Sequence, residues 1–327
     1  MEQNIPRRKW LKWSIGIAAG TAGSAFTMYR IDPKDKDCAI TPRQELGPFP
    51  PMKQRSQPDH DIDLTRVKGQ EAVATGDIIF VKGKILDDQC KPVEGAIVEI
   101  WQSNHYGKYN HEFDNHGTHD PNFQGWGQAV TNNEGAFQFK TIIPGLYTGR
   151  TRHIHFKIAK RGFHELVTQM YFDGEERNKT DGLLNALTHA EQLKVIRSID
   201  RTKDTPEMIF DINIQPVDKA GLPSKVLAEY VGKYDLHHKG SQQEGLITEM
   251  LGGPYDKLIV DIVNESNQLY FTLPFAPKSE AAWKEKDLFD ASQFFLAELR
   301  FIRNNDGKVK ELEFKWKDGA NLKGTRL

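Results

Sequence analysis

Beyond Gly76 the hydrophobic residues of this chain come in short bursts, and that spacing does most to narrow its fold. Ile78–Ile85, Ala96–Trp101, Phe137–Phe139, Ile154–Ile158 and Phe210–Ile214 are separated by turn-forming groups such as Asp87-Asp88, Asn132-Asn133-Glu134-Gly135 and Pro144-Gly145. Runs this short, rich in β-branched and aromatic residues and bounded by Gly, Pro, Asn and Asp, predict strands. Many such strands at close spacing predict a sandwich. One helix interrupts them: Thr188-His189-Ala190-Glu191 has the pattern of a capping box ahead of Leu193, Val195, Ile196 and Ile199. A second series follows at Leu258–Val263, Leu269–Leu273, Phe295–Ile302 and Leu312–Trp316, with turns at 264–267 and 305–307. At 327 residues, two domains are expected. The reading is mostly all-β: a β-sandwich with one or two short helices over 76–220, then a smaller C-terminal β-barrel-like domain over 224–327. Gly221-Leu222-Pro223-Ser224 reads as the linker between them.

The N-terminus reads as an address. Pro6-Arg7-Arg8-Lys9-Trp10-Leu11-Lys12 precedes sixteen uncharged residues, Trp13 to Met28, fewer than the roughly 20 of a spanning helix. Ala22-Gly23-Ser24-Ala25 supplies small residues for a cleavage site. The arrangement resembles a bacterial twin-arginine signal over 1–25, followed by an N-terminal arm over 26–75. The expected location is the periplasm or another exported compartment, reached through the Tat translocase. An uncleaved N-terminal anchor is the alternative. Lys+Arg 44 against Asp+Glu 45 leaves a formal charge of −1, so no electrostatic footprint for nucleic acid appears. With only Cys38 and Cys90, a Cys-rich zinc or iron–sulfur scaffold is excluded. In an oxidising compartment the two are either a bridge tying the arm to the first β-domain or a pair of unrelated buried thiols.

Among eleven histidines, His153-Ile154-His155 is the most informative pair. On a strand, residues i and i+2 point to one face, so both imidazoles can meet one ion; an ordinary polar strand face gives the same pattern. Upstream, Thr141-Ile142-Ile143-Pro144-Gly145-Leu146-Tyr147 ends in a tyrosine. Trp101-Gln102-Ser103-Asn104-His105-Tyr106-Gly107-Lys108-Tyr109 follows a strand and places a second tyrosine after a Gly turn. His111, His116 and His119 form a loose run in one loop and read as surface groups, as do His237 and His238.

These segments resemble the intradiol ring-cleavage dioxygenases, the family of catechol and protocatechuate 3,4-dioxygenases. The resemblance runs from about Thr41 to Asp211. It includes the opening motif Thr41-Pro42-Arg43-Gln44-Glu45-Leu46-Gly47-Pro48-Phe49, the hairpin with Pro92-Val93-Glu94-Gly95-Ala96, the two tyrosine segments, Asp120-Pro121-Asn122-Phe123, Arg150 to Phe156, and Thr168-Gln169-Met170-Tyr171-Phe172. The resemblance implies Fe(III) held by Tyr109, Tyr147, His153 and His155, and an active-site arginine at Arg150. Arg152 leaves open which guanidinium faces the substrate. Tyr147 also takes the place of the phenol that accepts a substrate proton, and Gln169 that of a group orienting the arginine or O2. Trp126 and Phe172 are placed on the substrate wall, with plain core packing the alternative for either. The secreted branch of the family further implies a Cys38–Cys90 disulfide. The ligand types suit the chemistry: phenolates are hard, strongly donating anions, and a trivalent ion drives loss of a proton whose free pKa is about 10.

The implied partners are a catechol-type aromatic and O2, with both oxygen atoms inserted between the hydroxylated carbons to give a cis,cis-muconate-type product. The sequence leaves open which catechol is used and whether the chain forms a homo-oligomer. A rival from another class is a non-catalytic sandwich of the carboxypeptidase-regulatory type, which shares the hairpin, Asn-Glu-Gly turn and Pro-Gly-x-Tyr pattern but has no reason to keep two histidines beyond Tyr147. The C-terminal part, opening with Leu227-Ala228-Glu229-Tyr230-Val231-Gly232-Lys233-Tyr234, resembles a small lipocalin-like domain of unknown function.

Overall fold

Two β-sheets and a closed barrel make up the fold in the computed structural model, which describes residues 38–51, 59–111, 114–147, 149–217, 222–241, 244–245, 248, 257–274, 276–293, 297–316 and 319–327. The signal read over 1–25 and parts of the arm, 26–37 and 52–58, lie outside the described residues. No described helix is long and apolar enough to cross a membrane.

The sandwich contains β1 (Ile78–Leu86), β2 (Ile97–Trp101), β3 (Trp126–Val130), β4 (Ala136–Ile142), β5 (His153–Ala159), β6 (Leu166–Phe172), β7 (Ile196–Arg197), β8 (Glu207–Ile209) and β9 (Ile212–Asn213). One sheet has the order β4-β1-β8, with β9 also on β1; the other has the order β3-β2-β5-β6-β7. Register fixes what each face of the second sheet carries. Trp126, Trp101, His155 and Gln169 lie in one cross-strand row, and His153 opposite Tyr171 in the next. Because side chains alternate, Ile100, Ile154, Phe156, Met170 and Phe172 face the other way, into the core shared with Ile79, Val81 and Phe139. The polar and metal-capable groups therefore sit on the outer face, outside the sandwich core.

Two short helices, α1 (Gly182–Asn185) and α2 (His189–Val195), follow β6. Thr188 accepts from Glu191 N while the Glu191 carboxylate takes Thr188 N, so the capping box forms as the sequence implied. Of the expected strand Phe210–Ile214 only Ile212–Asn213 is strand, and a separate short strand, Glu207–Ile209, precedes it. Phe210 is fully buried and its carbonyl lies against Gly83, where a Cβ would come within 2.0 Å of it. Asp211 then substitutes a side-chain oxygen for the ladder, accepting Lys84 N at 2.8 Å. Cys38 and Cys90 are bridged, with Cα atoms 5.1 Å apart across a sequence separation of 52. Closing a loop of that size stabilises by about 4 kcal/mol on the chain-entropy model.

The C-terminal region is an eight-stranded closed barrel: β10 (Gly232–Leu236), β11 (Leu258–Glu265), β12 (Gln268–Leu273), β13 (Ala276–Glu285), β14 (Leu288–Ala291), β15 (Ala297–Arg303), β16 (Val309–Lys315) and β17 (Asn321–Arg326). Each neighbouring pair is antiparallel, and β17 closes on β10. Tyr234, Phe271, Phe301 and Phe314 fill the interior, with Phe271 and Phe314 at 5.5 Å between ring centroids. The last residue of the stretch read as a linker, Ser224, opens α3 (Ser224–Leu227), whose Leu227 is buried against the barrel; Gly221 lies outside the described residues. His238 is buried, contrary to the surface reading, its ring near the Leu236 carbonyl.

Sandwich and barrel belong to one compact unit. The barrel packs on the outer face of the second sheet. Lys157 Nζ donates to the Lys278 carbonyl at 2.6 Å and pairs with Glu165 at 3.1 Å. Glu165 N donates to the Glu280 carboxylate at 2.6 Å, and Glu280 N returns a bond to Glu165. His164 Nδ1 lies 2.7 Å from the same Glu280 carboxylate. The network offers each buried charge a partner, as burial requires.

Candidate active site

The two histidines of β5 bring their Nε2 atoms to within 3.2 Å of each other. Tyr109 Oη lies 3.2 Å from His153 Nε2. Tyr147 packs edge-on to Tyr109, with centroids 5.3 Å apart, and 5.7 Å from the His153 ring. The structure thus brings together all four residues expected as ligands.

Close backbone contact between two loops explains why both tyrosines arrive there. Gly107 has φ +81, and a Cβ on it would lie 2.2 Å from the Leu146 carbonyl; one on Gly145 would lie 2.3 Å from Gly107 N. Only glycine permits this approach of the Tyr109 loop to the Tyr147 loop. Gln102 locks the same pair, accepting from Thr141 and donating to the Ile142 carbonyl, and Ser103 Oγ donates to the Gly145 carbonyl. Asp114, not anticipated from the sequence, fixes Tyr109 by accepting its backbone N–H at 2.6 Å.

His153 Nδ1 sits 2.7 Å from the Thr151 carbonyl, which places the proton on Nδ1 and leaves Nε2 as the lone pair. Burial, reinforced by the Arg150 charge, holds this ring down to about 3, against the pull of the Thr151 carbonyl. His155 is depressed well below the ordinary value by burial, then by His153 and Arg150. The His155 ring stacks on Trp101 at 4.7 Å, and its Nδ1 has no protein partner. Both imidazoles are therefore neutral, the form that binds a metal. Burial pushes the Tyr109 phenol well above its ordinary value, with Tyr147 adding to the rise. Tyr147 is also raised by burial, though Arg150 draws it back.

This set fits a ferric ion. Donor atoms about 2.0–2.1 Å from a common centre lie roughly 3 Å apart, the spacing of Tyr109 Oη from His153 Nε2 and of His153 Nε2 from His155 Nε2. Two neutral imidazoles and two phenols that ionise only against a compensating cation suit a hard trivalent metal.

Arg150 is the guanidinium of this cluster. Its Nε donates to Asp181 Oδ2 at 2.7 Å and its Nη2 to Gln169 Oε1 at 2.7 Å, with Tyr171 Oη at 3.4 Å. Burial opposes its charge, but Tyr171, Tyr147 and Asp181 outweigh that and keep it protonated. Arg152 turns instead to Glu175 at 2.8 Å and to the Pro144 carbonyl. Gln169 in turn donates to the Glu45 carbonyl, while Tyr171 Oη donates to Gln44 Oε1 at 2.6 Å.

The two expected wall residues separate. Trp126 lies on the outer face in the row of Trp101 and His155, stacked on His60 at 5.6 Å. Phe172 is a correction: it lies an odd number of residues from Gln169, so it points into the sandwich core. Phe49, from the opening motif, takes the place beside the phenols, 5.4 Å from Tyr109 and 6.4 Å from Tyr147. Asp181 was missed as well, although an Asp ahead of Gly182-Leu183-Leu184 is a readable helix cap.

The chain belongs to the dioxygenases: the family model of that description matches residues 50–216. Within them it belongs to the intradiol ring-cleavage enzymes. It is 34% identical over 192 residues to the protocatechuate 3,4-dioxygenase beta chain of Burkholderia cepacia, across 55% of this chain and 77% of that one. To catechol 1,2-dioxygenase of Candida albicans it is 32% identical over 120 residues, across 31% and 39%. A solved dioxygenase domain, from a dioxygenase carbohydrate-binding protein fusion of Streptomyces sp. SirexAA-E, is 30% identical with a TM-score of 0.43, covering 55% of this chain and all of that one.

Proposed function

We propose that this chain is a non-haem Fe(III) dioxygenase that inserts both atoms of O2 between the hydroxylated carbons of a catechol-type aromatic, giving a cis,cis-muconate-type product. The observation that carries the reading is the convergence of Tyr109 Oη, His153 Nε2 and His155 Nε2 at 3.2 Å spacings, with Tyr147 and Arg150 alongside. Tyr109, Tyr147, His153 and His155 would hold the iron, which when bound would supply Lewis-acid activation of the catechol toward O2.

The protein's own residues divide the remaining work. Tyr147 is the less buried phenol and lies beside Arg150, so its oxygen, ionised against the ferric charge, is the group that would accept a substrate proton. Arg150 meets negative charge as it develops on the ring, a role worth about 2–4 kcal/mol by analogy with single oxyanion donors. Gln169 holds Arg150 rather than standing free to bind substrate. Phe49 and Trp101 wall the phenols and imidazoles with apolar surface, which excludes water and strengthens these electrostatic contacts. The chain is further proposed to act after export through the Tat translocase, supported by the Arg7-Arg8 segment and by a Cys38–Cys90 bridge of the kind that persists in oxidising compartments.

The test is the visible spectrum of iron-loaded protein, before and after anaerobic addition of catechol, followed by O2 uptake and product absorbance. A tyrosinate-to-Fe(III) charge-transfer band, altered in Tyr109→Phe and Tyr147→Phe, is expected. A colourless protein that takes up no ferric iron would sink the proposal and favour a non-catalytic sandwich.

A further inference from the structure

We infer that Asp181 is the positioning residue of this site, setting the guanidinium of Arg150 and, through the backbone of Thr151, the ring of His153. The inference rests on the dioxygenase reading above, in which Arg150 faces the reacting ring. The Asp181 side chain is 0% exposed and its carboxylate takes four hydrogen bonds. Oδ1 accepts Leu183 N and Leu184 N at 3.1 and 3.0 Å, capping α1. Oδ2 accepts Arg150 Nε at 2.7 Å and Thr151 N at 2.9 Å.

The carboxylate itself stands on a fixed base. Asp181 N donates to the Arg177 carbonyl, and the Asp181 carbonyl accepts from Asn185 N and from the Asn185 amide. On the other side, a guanidinium is planar, so anchoring two of its nitrogens fixes its plane. Asp181 holds Nε, and Gln169 holds Nη2. Removal of Asp181 frees the Nε end, while Gln169 and, at 3.4 Å, Tyr171 still hold Nη2, about which the fork can swing. The backbone bond to Thr151 N adds a second route, because the Thr151 carbonyl is the acceptor that orients His153 Nδ1. One buried carboxylate thus ties together a helix start, the charge-stabilising arginine and a proposed iron ligand. It is not among the proposed iron ligands and acts through the groups it holds.

An arginine that meets charge developing in the transition state contributes to kcat more than to substrate binding. A misplacement of about 1 Å costs on the order of 100-fold in rate. In iron-loaded Asp181→Asn we expect kcat to fall by about that factor, with KM within about threefold and the charge-transfer band retained. A readout independent of turnover is the side-chain 1H–15N spectrum of the metal-free protein, with Arg150→Lys used only for assignment. The Arg150 Nε–H resonance should exchange slowly in the wild type and lose that protection in Asp181→Asn. Should Asp181→Asn fail to fold, Asp181→Glu keeps the charge while moving the acceptor, and the same fall in kcat is expected. An unprotected Arg150 Nε–H in the wild type, or full kcat in the variant that folds, would overturn the inference. Wild-type protein that binds no ferric iron would instead overturn the dioxygenase reading, and the iron-independent resonance would then decide the Asp181 contact alone.

Discussion

At the residue scale, Gly47 has little freedom to change. It has φ +72, and a Cβ built on it would lie 3.2 Å from His155 Cε1. Gly47→Ala should therefore cost about 1–2 kcal/mol of backbone strain and press on a proposed ligand. The expected result is a lowered melting temperature together with a shifted charge-transfer band. Unchanged values of both would mean that the opening segment is not seated on His155. The two-residue period of a strand made His153 and His155 legible as a pair, and the same period would have sorted Phe172 from Gln169 and Tyr171 had it been applied there. Asp181 was harder to read. Its local role as a helix cap is visible in sequence, but its bond to Arg150 joins residues 31 apart and depends on how the segment after β6 folds back.

Elements were legible where local preference and tertiary demand agree. The capping box of α2 is such a case, and Thr188→Ala should cost about 1 kcal/mol and lower the melting temperature by a few degrees. Thr188 lies on an exposed helix start, so kcat should be unchanged; a loss of turnover would show that α2 reaches the site. Strands β1, β2, β5 and β11 are rich in Ile and Val and announced themselves. Strand β13, with the sequence Ala-Pro-Lys-Ser-Glu-Ala-Ala-Trp-Lys-Glu, and β17, with Asn-Leu-Lys-Gly-Thr-Arg, did not. Their residues have weak strand preference, and closure of the barrel imposes the conformation. Strand β8 lies ahead of the hydrophobic run Phe210–Ile214 and was not legible, and of that run only β9 is strand, because the Asp211 side chain takes the place of the ladder at Lys84.

At the scale of the whole molecule, the joint between sheet and barrel makes stability depend on pH. Burial raises the Glu165 carboxyl above its ordinary value, Lys157 opposes the rise, and Glu280 adds to it. A carboxyl whose folded pKa lies above its unfolded one favours the folded state while protonated. That contribution is complete below the unfolded value of about 4.3 and is lost as pH rises through the folded value. Measured by thermal unfolding, wild type should therefore lose stability relative to Glu165→Gln as pH rises from about 4 toward neutrality. A difference that stays flat, or runs the other way, would show that Lys157 compensates Glu165 fully.

The opening segment also bears on the order in which the molecule is completed. Gln44 N donates to the Val167 carbonyl and Gln44 accepts from Tyr171, while Leu46 N donates to the carbonyl of Gln293, two residues beyond β14. The stretch that seats Gly47 on His155 and Phe49 on the two tyrosines is thus held partly by residues near the far end of the chain. Contacts so distant in sequence form late and slowly. During synthesis the sheet that carries the histidines emerges well before Gln293 does. The metal-binding face is consequently laid down early, and its lining is finished only after most of the barrel has left the ribosome.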